Sequence, residues 1–248
     1  MKYISDTRPP PLKDSPMPDR LPAHQLAYIA LRDMVLFGEL APGDAVTIEG
    51  LVARLGLGMT PVREAIRRLI AEGALQLQGN RRVCVPRLSE PALDDLGYAR
   101  EAVETRLAEQ GASRCDGAVI DRLRAIDMRL DRAISAGDIP AYLRANHEFH
   151  FALYSCAGSD VLQALAASLW LRFGPSLRVV CHGPDGADAR GADGGILHMP
   201  DHHKRALAAL ETGDSAALTS ALRDDIAQGV ANIRAGLRGG VFGPPAKI

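Results

Sequence analysis

The chain has 248 residues, 47% hydrophobic but only 4% aromatic, with a formal net charge of −1. This is the composition of an ordinary globular protein large enough to bury a core, and a core poor in aromatics favours packed helices over a β-sandwich. The charge is unevenly placed: residues 20–88 carry nine basic side chains against six acidic, and residues 89–248 carry 17 against 21, the balance expected of a nucleic-acid-binding head on a regulatory body.

Residues 1–20 hold Pro9, Pro10, Pro11, Pro16 and Pro18 among polar residues, which predicts a disordered arm. From His24 to Leu36 the apolar residues Leu26, Ile29, Ala30, Met34 and Leu36 recur at roughly helical spacing. Gly38 ends that helix and Ala41-Pro42-Gly43-Asp44 makes a turn. Thr47 is the expected cap of a short second helix, with Gly50 at its third position and Gly56 at its end. A third helix is expected to open with Thr60 as cap and Pro61 as first residue; Val62, Ala65, Ile66 and Leu69 form its apolar stripe, and Gly73 closes it. Leu75-Gln76-Leu77-Gln78 and Arg81-Arg82-Val83-Cys84-Val85 flank Gly79-Asn80 as a β-hairpin. Three helices followed by a hairpin make a winged helix-turn-helix.

Beyond Ser89 every segment reads as helix, near 90–113, 117–136, 138–157, 159–180, 200–212 and 214–237, broken at Gly117, Gly137-Asp138, Gly158-Ser159 and Gly213-Asp214. A Gly- and Asp-rich loop runs from His182 to Gly195. The predicted fold is therefore mainly α: an arm over 1–20, an N-terminal winged helix-turn-helix over 21–88, an antiparallel six-helix bundle over 89–238 and a tail over 239–248. Cys84, Cys115, Cys156 and Cys181 are widely spaced with no CxxC pair, so no zinc knuckle or disulfide framework is expected. No apolar run approaches a membrane span and no signal-peptide core is present, which predicts a cytoplasmic protein.

A helix-turn-helix lays its second helix in the major groove, N-terminal end toward the bases. That places Thr60 and Pro61 beside Met59 near base edges and puts Arg63 a turn in, where a guanidinium can fork onto guanine. Arg67 and Arg68 lie further along, suited to phosphates; Arg81 and Arg82 stand on the wing, and Arg54 completes the DNA-binding set. The alternative is that Arg63, Arg67 and Arg68 form a solvated helix face.

Gly38-Glu39-Leu40-Ala41-Pro42-Gly43-Asp44, Leu51-Val52-Ala53-Arg54-Leu55-Gly56, Thr60-Pro61-Val62-Arg63-Glu64-Ala65-Ile66-Arg67-Arg68-Leu69 and Glu72-Gly73 together resemble the GntR family of bacterial regulators. That family usually has Ser-Arg before the Thr-Pro step, where this chain has Gly58-Met59. One base contact of the family is thus missing, which implies either an altered operator preference or a shift of reading to Arg63 and the wing. Arg82 stands where the family's wing commonly has Gly, making this wing more basic.

The body resembles the FCD ligand-binding domain of the FadR subfamily, through Arg100-Glu101-Ala102-Val103-Glu104, through Asn146-His147-Glu148-Phe149-His150 with Leu153, Ala157 and Gly158, and through His203 with Ala209-Leu210 and Gly213-Asp214. Six helices rather than seven match its VanR-like branch. The resemblance implies a divalent cation (Zn, Ni or Mn) held by Asn146, His150, His203 and Asp225, a set of two imidazoles, a carboxylate and an amide oxygen that softness rules do not narrow further. His147, His198 and His202 are expected to line the surface or the pocket. The resemblance also implies that Arg100 points into the bundle and binds the carboxylate of a small organic acid effector, a match for its planar fork. Taken as residues alone, Arg100 pairs with Glu104 one turn on; both readings stand open. Tyr98, Arg144 and Trp170 are further effector-site candidates.

The function expected is a homodimeric, ligand-responsive repressor of transcription that binds a palindromic double-stranded DNA operator, one recognition helix per half-site. Two alternatives are a regulator for which the metal itself is the signal and a metal-dependent hydrolase. No paired nucleophile and base, and no phosphate-binding Gly loop, favours the hydrolase.

Overall fold

A computed structural model describes residues 21–79, 82–178 and 201–239. The predicted arm, Asn80 and Arg81 at the wing tip, the loop from His182 to Gly195 with Cys181 and His198, and the tail beyond residue 239 lie outside the described residues. The order is α1 (Ala23–Leu36), β1 (Ala45–Val46), α2 (Ile48–Leu55), α3 (Met59–Ala71), β2 (Gln76–Gln78), β3 (Arg82–Cys84), α4 (Glu90–Ala112), α5 (Gly117–Ala136), α6 (Ile139–Ser155), α7 (Asp160–Leu177), α8 (His202–Thr212) and α9 (Ser215–Arg238).

In the head, α2 begins as expected, the Thr47 hydroxyl accepting from the Gly50 amide at 3.0 Å, and ends on Gly56 in the left-handed region, φ +64°. The start of α3 differs. Gly58, extended at φ −68° and ψ 163°, is the cap, and no side chain caps the helix. Its carbonyl accepts from the Val62 amide, so Met59, Thr60 and Pro61 are the first three helical residues. Proline is accommodated because none of those amides has an intrahelical acceptor. The wing gains a strand that alternation could not reveal: β1 is only two residues long, both buried, and pairs antiparallel with β3, giving the order β1-β3-β2.

Each bundle helix is opened by a Ser or Asp oxygen that accepts an amide three residues on: Ser89 before α4, Asp116 before α5, Asp138 before α6, Ser159 before α7, Asp201 before α8 and Asp214 before α9. A cap of this kind contributes about 1 kcal/mol, and together with Gly137, Gly158 and Gly213 at positive φ these caps explain why the short breaks fall where they do.

Head and bundle share one core. A cluster of buried apolar side chains runs from Leu31, Val35 and Leu36 of α1 and Val62, Ile66 and Leu69 of α3 to Leu93 and Leu96 of α4, Leu143 of α6, Trp170, Phe173 and Leu177 of α7 and Ile233 of α9. A second cluster fills the far end of the bundle between α4, α5, α6, α8 and α9. The α1–α7 approach needs Gly174: a Cβ there would stand 2.7 Å from the Leu36 carbonyl oxygen. Around it, Arg178 donates to the Gly38 carbonyl at 2.9 Å and Arg144 of α6 bonds Glu39 at 3.0 Å. His147 stacks on Phe151 at 4.2 Å and meets Phe37 edge-on at 5.6 Å and Trp170 at 5.4 Å. It is thus part of the joint between head and bundle, not a surface residue.

Gly174→Ala should destabilise the protein by about 1–3 kcal/mol in chemical denaturation, because the obstructing atom is backbone oxygen and cannot rotate away. An unchanged midpoint would show that α1 and α7 are not held this closely. Burial, then the neighbouring His150 and Arg32, pushes the His147 imidazole down to about 4. The unfolded chain therefore takes up this proton first, so the contribution of His147 is intact above about pH 6.5 and lost as pH falls toward 4. His147→Phe keeps a ring in the stack and removes the proton site. The fall in melting temperature of the chelator-treated protein over that window should be shallower than in wild type.

Candidate DNA-reading face and buried cation site

The amphipathic pattern of α3 sorts its side chains without ambiguity. Val62, Ala65, Ile66 and Leu69 are buried, while Met59, Thr60, Arg63 and Arg67 are exposed on the opposite face. Among the described residues no ion pair reaches Arg63 or Arg67. Arg68 is held differently: its Nε donates to Glu72 at 2.9 Å, its guanidinium lies 3.6 Å over the Tyr28 ring, and the Tyr28 hydroxyl donates to the same Glu72 at 2.9 Å. Arg54 donates to Glu39 at 2.6 Å, the carboxylate that also holds Arg144. Of the arginines on α2 and α3, then, Arg63 and Arg67 alone present a charge not already matched by a described carboxylate. Arg82 is half-buried on β3, and Arg81 lies outside the described residues.

Inside the bundle, His150 of α6, His203 of α8 and Asp225 of α9 converge, their ligating atoms within 4.8 Å of one another. His150 Nε2 is 3.2 Å from Asp225 Oδ2 and 3.3 Å from His203 Nε2. Metal–ligand bonds of about 2.0–2.1 Å in a tetrahedral site separate donor atoms by about 3.3 Å, so the spacing and the donor types fit a first-row divalent cation. Asn146 is buried one turn before His150 on the same helix. Burial pushes the His203 ring down to about 4, keeping it neutral as a ligand must be. Burial would raise the Asp225 carboxyl, but contact with the His150 ring and the nearby Arg100 charge hold it well below the usual range. A second group, Asp127, Asp201 and His203, adjoins the first through the shared imidazole.

Arg100 lies in the wall of this site, 2% exposed. Its Nε and Nη2 fork onto Glu104 at 2.7 and 3.1 Å, and its guanidinium rests 4.5 Å from the Trp170 ring and 4.3 Å from that of Phe173. The intrahelical pair is thus formed, and buried rather than solvated. Trp170 lies between the Arg100 guanidinium and His150, its ring 5.0 Å from that of His150, and its indole N–H is buried with no hydrogen-bond partner among the described residues.

Two effector candidates do not belong here. Tyr98 is 79% exposed, because the buried stripe of α4 runs through Leu93, Leu96, Gly97, Arg100 and Glu104 and position 98 falls on the other side. Arg144 is exposed, bonded to Glu39 and packed over Phe37, so it ties the bundle to the head. His202 is buried, with Nδ1 against Arg205 at 3.1 Å. One residue that spacing did not single out completes the site: Tyr154, whose hydroxyl donates to Glu104 at 2.6 Å.

Among the described residues no helix is long and apolar enough to cross a membrane. Comparison with known proteins places both halves. Residues 24–85 match the bacterial regulatory proteins of the gntR family, and residues 95–228 match the FCD domain. The HTH-type transcriptional regulator McbR of Escherichia coli K12 is 26% identical over 201 residues, covering 81% of this chain and 88% of its own. An HTH-type regulator of Streptomyces ambofaciens is 34% identical over 142 residues, 57% of this chain and 59% of its own. The fold is that of the solved E. coli McbR/YncC, with a TM-score of 0.76 at 22% identity over 87% of this chain and 98% of that one. It is also that of a GntR transcriptional regulator from Rhodococcus sp. RHA1, with a TM-score of 0.67 at 22% identity over 85% and 97%. The chain belongs to the gntR family of bacterial regulatory proteins, a family of regulators and not of enzymes, and carries an FCD domain behind its winged helix-turn-helix.

Proposed function

We propose that this chain is a homodimeric, DNA-binding transcriptional repressor that releases its operator when a small carboxylate enters the bundle beside a divalent cation. The observation that carries the reading is the exposed pair Arg63 and Arg67 on α3, at one end of a core whose other wall is Trp170. Reading head and candidate effector site are thereby parts of one packed body. Arg63 is placed for base edges and Arg67 for phosphate. Arg68 serves the fold of the head through Tyr28 and Glu72 and is withdrawn from the DNA-binding set. In the bundle, the Arg100 fork and the unpartnered Trp170 N–H are the groups an organic acid would engage, Glu104 giving up its place to the incoming carboxylate. Asn146, His150, His203 and Asp225 would hold the cation, which supplies a fixed positive charge beside that acid.

Dimerisation is supported by an apolar face on α7. Val161 is 71% and Leu165 49% exposed, with Ala164 and Ser168 exposed in the same helical stripe, and Tyr98 protrudes from the neighbouring α4. A second copy would cover such a face, presenting two recognition helices to a palindrome. The metal-sensor reading is favoured by one observation only, the donor spacing of His150, His203 and Asp225.

The test is DNA binding to the region upstream of the protein's own gene, by gel shift or anisotropy. Arg63→Ala should lower affinity by roughly 10- to 100-fold, about 1–3 kcal/mol, and relax discrimination against mismatched operators. Arg67→Ala should weaken all sequences alike and reduce the salt slope by about one. Unchanged binding by Arg63→Ala would remove α3 as the reading helix. DNA affinity that responds to Zn(II), Ni(II) or Mn(II) with no organic acid present would favour the metal sensor.

A further inference from the structure

The cation site is continuous with a chain of hydrogen bonds that reaches it from behind. Arg100 forks onto Glu104, at 2.7 and 3.1 Å; the Tyr154 hydroxyl lies 2.6 Å from Glu104 Oε2; His150 Nδ1 lies 3.0 Å from that hydroxyl; and His150 Nε2 faces Asp225 and His203. Arg100, Glu104, Tyr154 and His150 are each at most 2% exposed, so water does not compete for these bonds.

The direction of every bond in the chain follows from its first member. A carboxylate that receives both arms of a guanidinium is an acceptor only. The Tyr154 hydroxyl has one proton, and it is committed to that carboxylate. Its oxygen can then only accept from His150, so the proton of the neutral imidazole sits on Nδ1. Nε2 is left with its lone pair aimed between Asp225 and His203, which is the form a metal ligand needs. Without this chain the ring would have a better place for its proton, since Asp225 Oδ2 stands 3.2 Å from Nε2 and a carboxylate is a stronger acceptor than a phenol.

We infer that Glu104 and Tyr154 are positioning residues of the cation site, and that the buried Arg100–Glu104 pair sets the polarity that holds His150 in its ligating tautomer. This rests on the reading of His150, His203 and Asp225 as cation ligands for its consequence, but its core is a statement about one proton in the metal-free protein. The chain also ties the candidate effector residue to the cation: a carboxylate that drew Arg100 away from Glu104 would loosen the bond order behind His150.

The experiment is long-range 1H–15N correlation of the histidine rings in chelator-treated protein at about pH 8, above the ordinary imidazole range, with Zn(II) affinity measured separately by chelator competition. His150, assigned by loss of its signals in His150→Gln, should appear as the Nδ1–H tautomer in wild type. In Tyr154→Phe, which deletes one oxygen, the proton should move to Nε2 and Zn(II) affinity should fall by roughly 10- to 100-fold. Should that variant fold poorly, Glu104→Gln reports independently: its amide can donate to the Tyr154 oxygen and turn the phenol proton toward His150, giving the same tautomer exchange. An Nε2–H ring in wild type, or an Nδ1–H ring that persists in both variants, overturns the inference. Wild-type protein that takes up no Zn(II), Ni(II) or Mn(II) overturns the cation reading and with it the proposed role of these residues, while the tautomer result still judges the bond order on its own.

Discussion

A charged pair in a dry interior is the constraint on which this bundle turns. Arg100 and Glu104 are one helical turn apart on α4 and are shielded from water by Trp170, Phe173 and Tyr154. Removing two charges from water is expensive, and an ion pair in a low-dielectric interior repays that cost only when geometry is good and the remaining valences are filled. Here the fork is bidentate, two aromatic faces receive the guanidinium, and a phenol caps the second carboxylate oxygen. The pair cannot be taken apart one residue at a time without stranding a buried charge, a loss that runs to about 3–5 kcal/mol in other proteins. A pair held this way resists opening unless another carboxylate takes the place of Glu104 at the guanidinium.

The helices and most of their ends were legible in the sequence because the determinants are local. Ser and Asp caps, Gly at positive φ and a 3.6-residue apolar period act over four residues or fewer, and the breaks at Gly137-Asp138 and Gly213-Asp214 carry all of these at once. The candidate ligand positions His150, His203 and Asp225 came through the family resemblance; spacing alone could place only Asn146 and His150 on one face. What stayed hidden depended on partners far away in the chain. Tyr154 meets Glu104 across 50 residues and Arg144 meets Glu39 across 105, so neither role has a local mark. Tyr98 looked like pocket lining beside Arg100, yet two positions along a helix is a turn of about 200°, which carries the ring to the outer face. β1 has no mark in the sequence because two residues cannot show alternation. Thr60 does not cap α3 because Gly58, with no side chain to offer, does that work through backbone conformation alone.

The arginines of the head make a similar point about charge. Arg54, Arg63, Arg67 and Arg68 look equivalent in sequence. Two of them are neutralised within the fold, by Glu39 and by Glu72 with Tyr28, which concentrates the remaining positive charge on the outward face of α3. A basic stripe four residues wide is thereby narrowed to one edge, and an edge can be fitted to a groove in only one orientation.

The shared core has a mechanical meaning. Leu36, Phe37 and Leu143 lie where the head meets the bundle, and baring such side chains costs about 1.5–3 kcal/mol apiece. The coupling between two ligands in an allosteric protein is typically only about 1–3 kcal/mol. On the reading proposed above, a metabolite in the bundle would have too little leverage to lift the head off its seat. Its effect would have to pass through α7 to α1 at the bare backbone contact of Gly174. In the proposed dimer, even a tilt of a few degrees at each seat would be multiplied by the lever arm out to α3, so the two reading helices would lose their common pitch with the DNA while head and bundle stayed folded and docked.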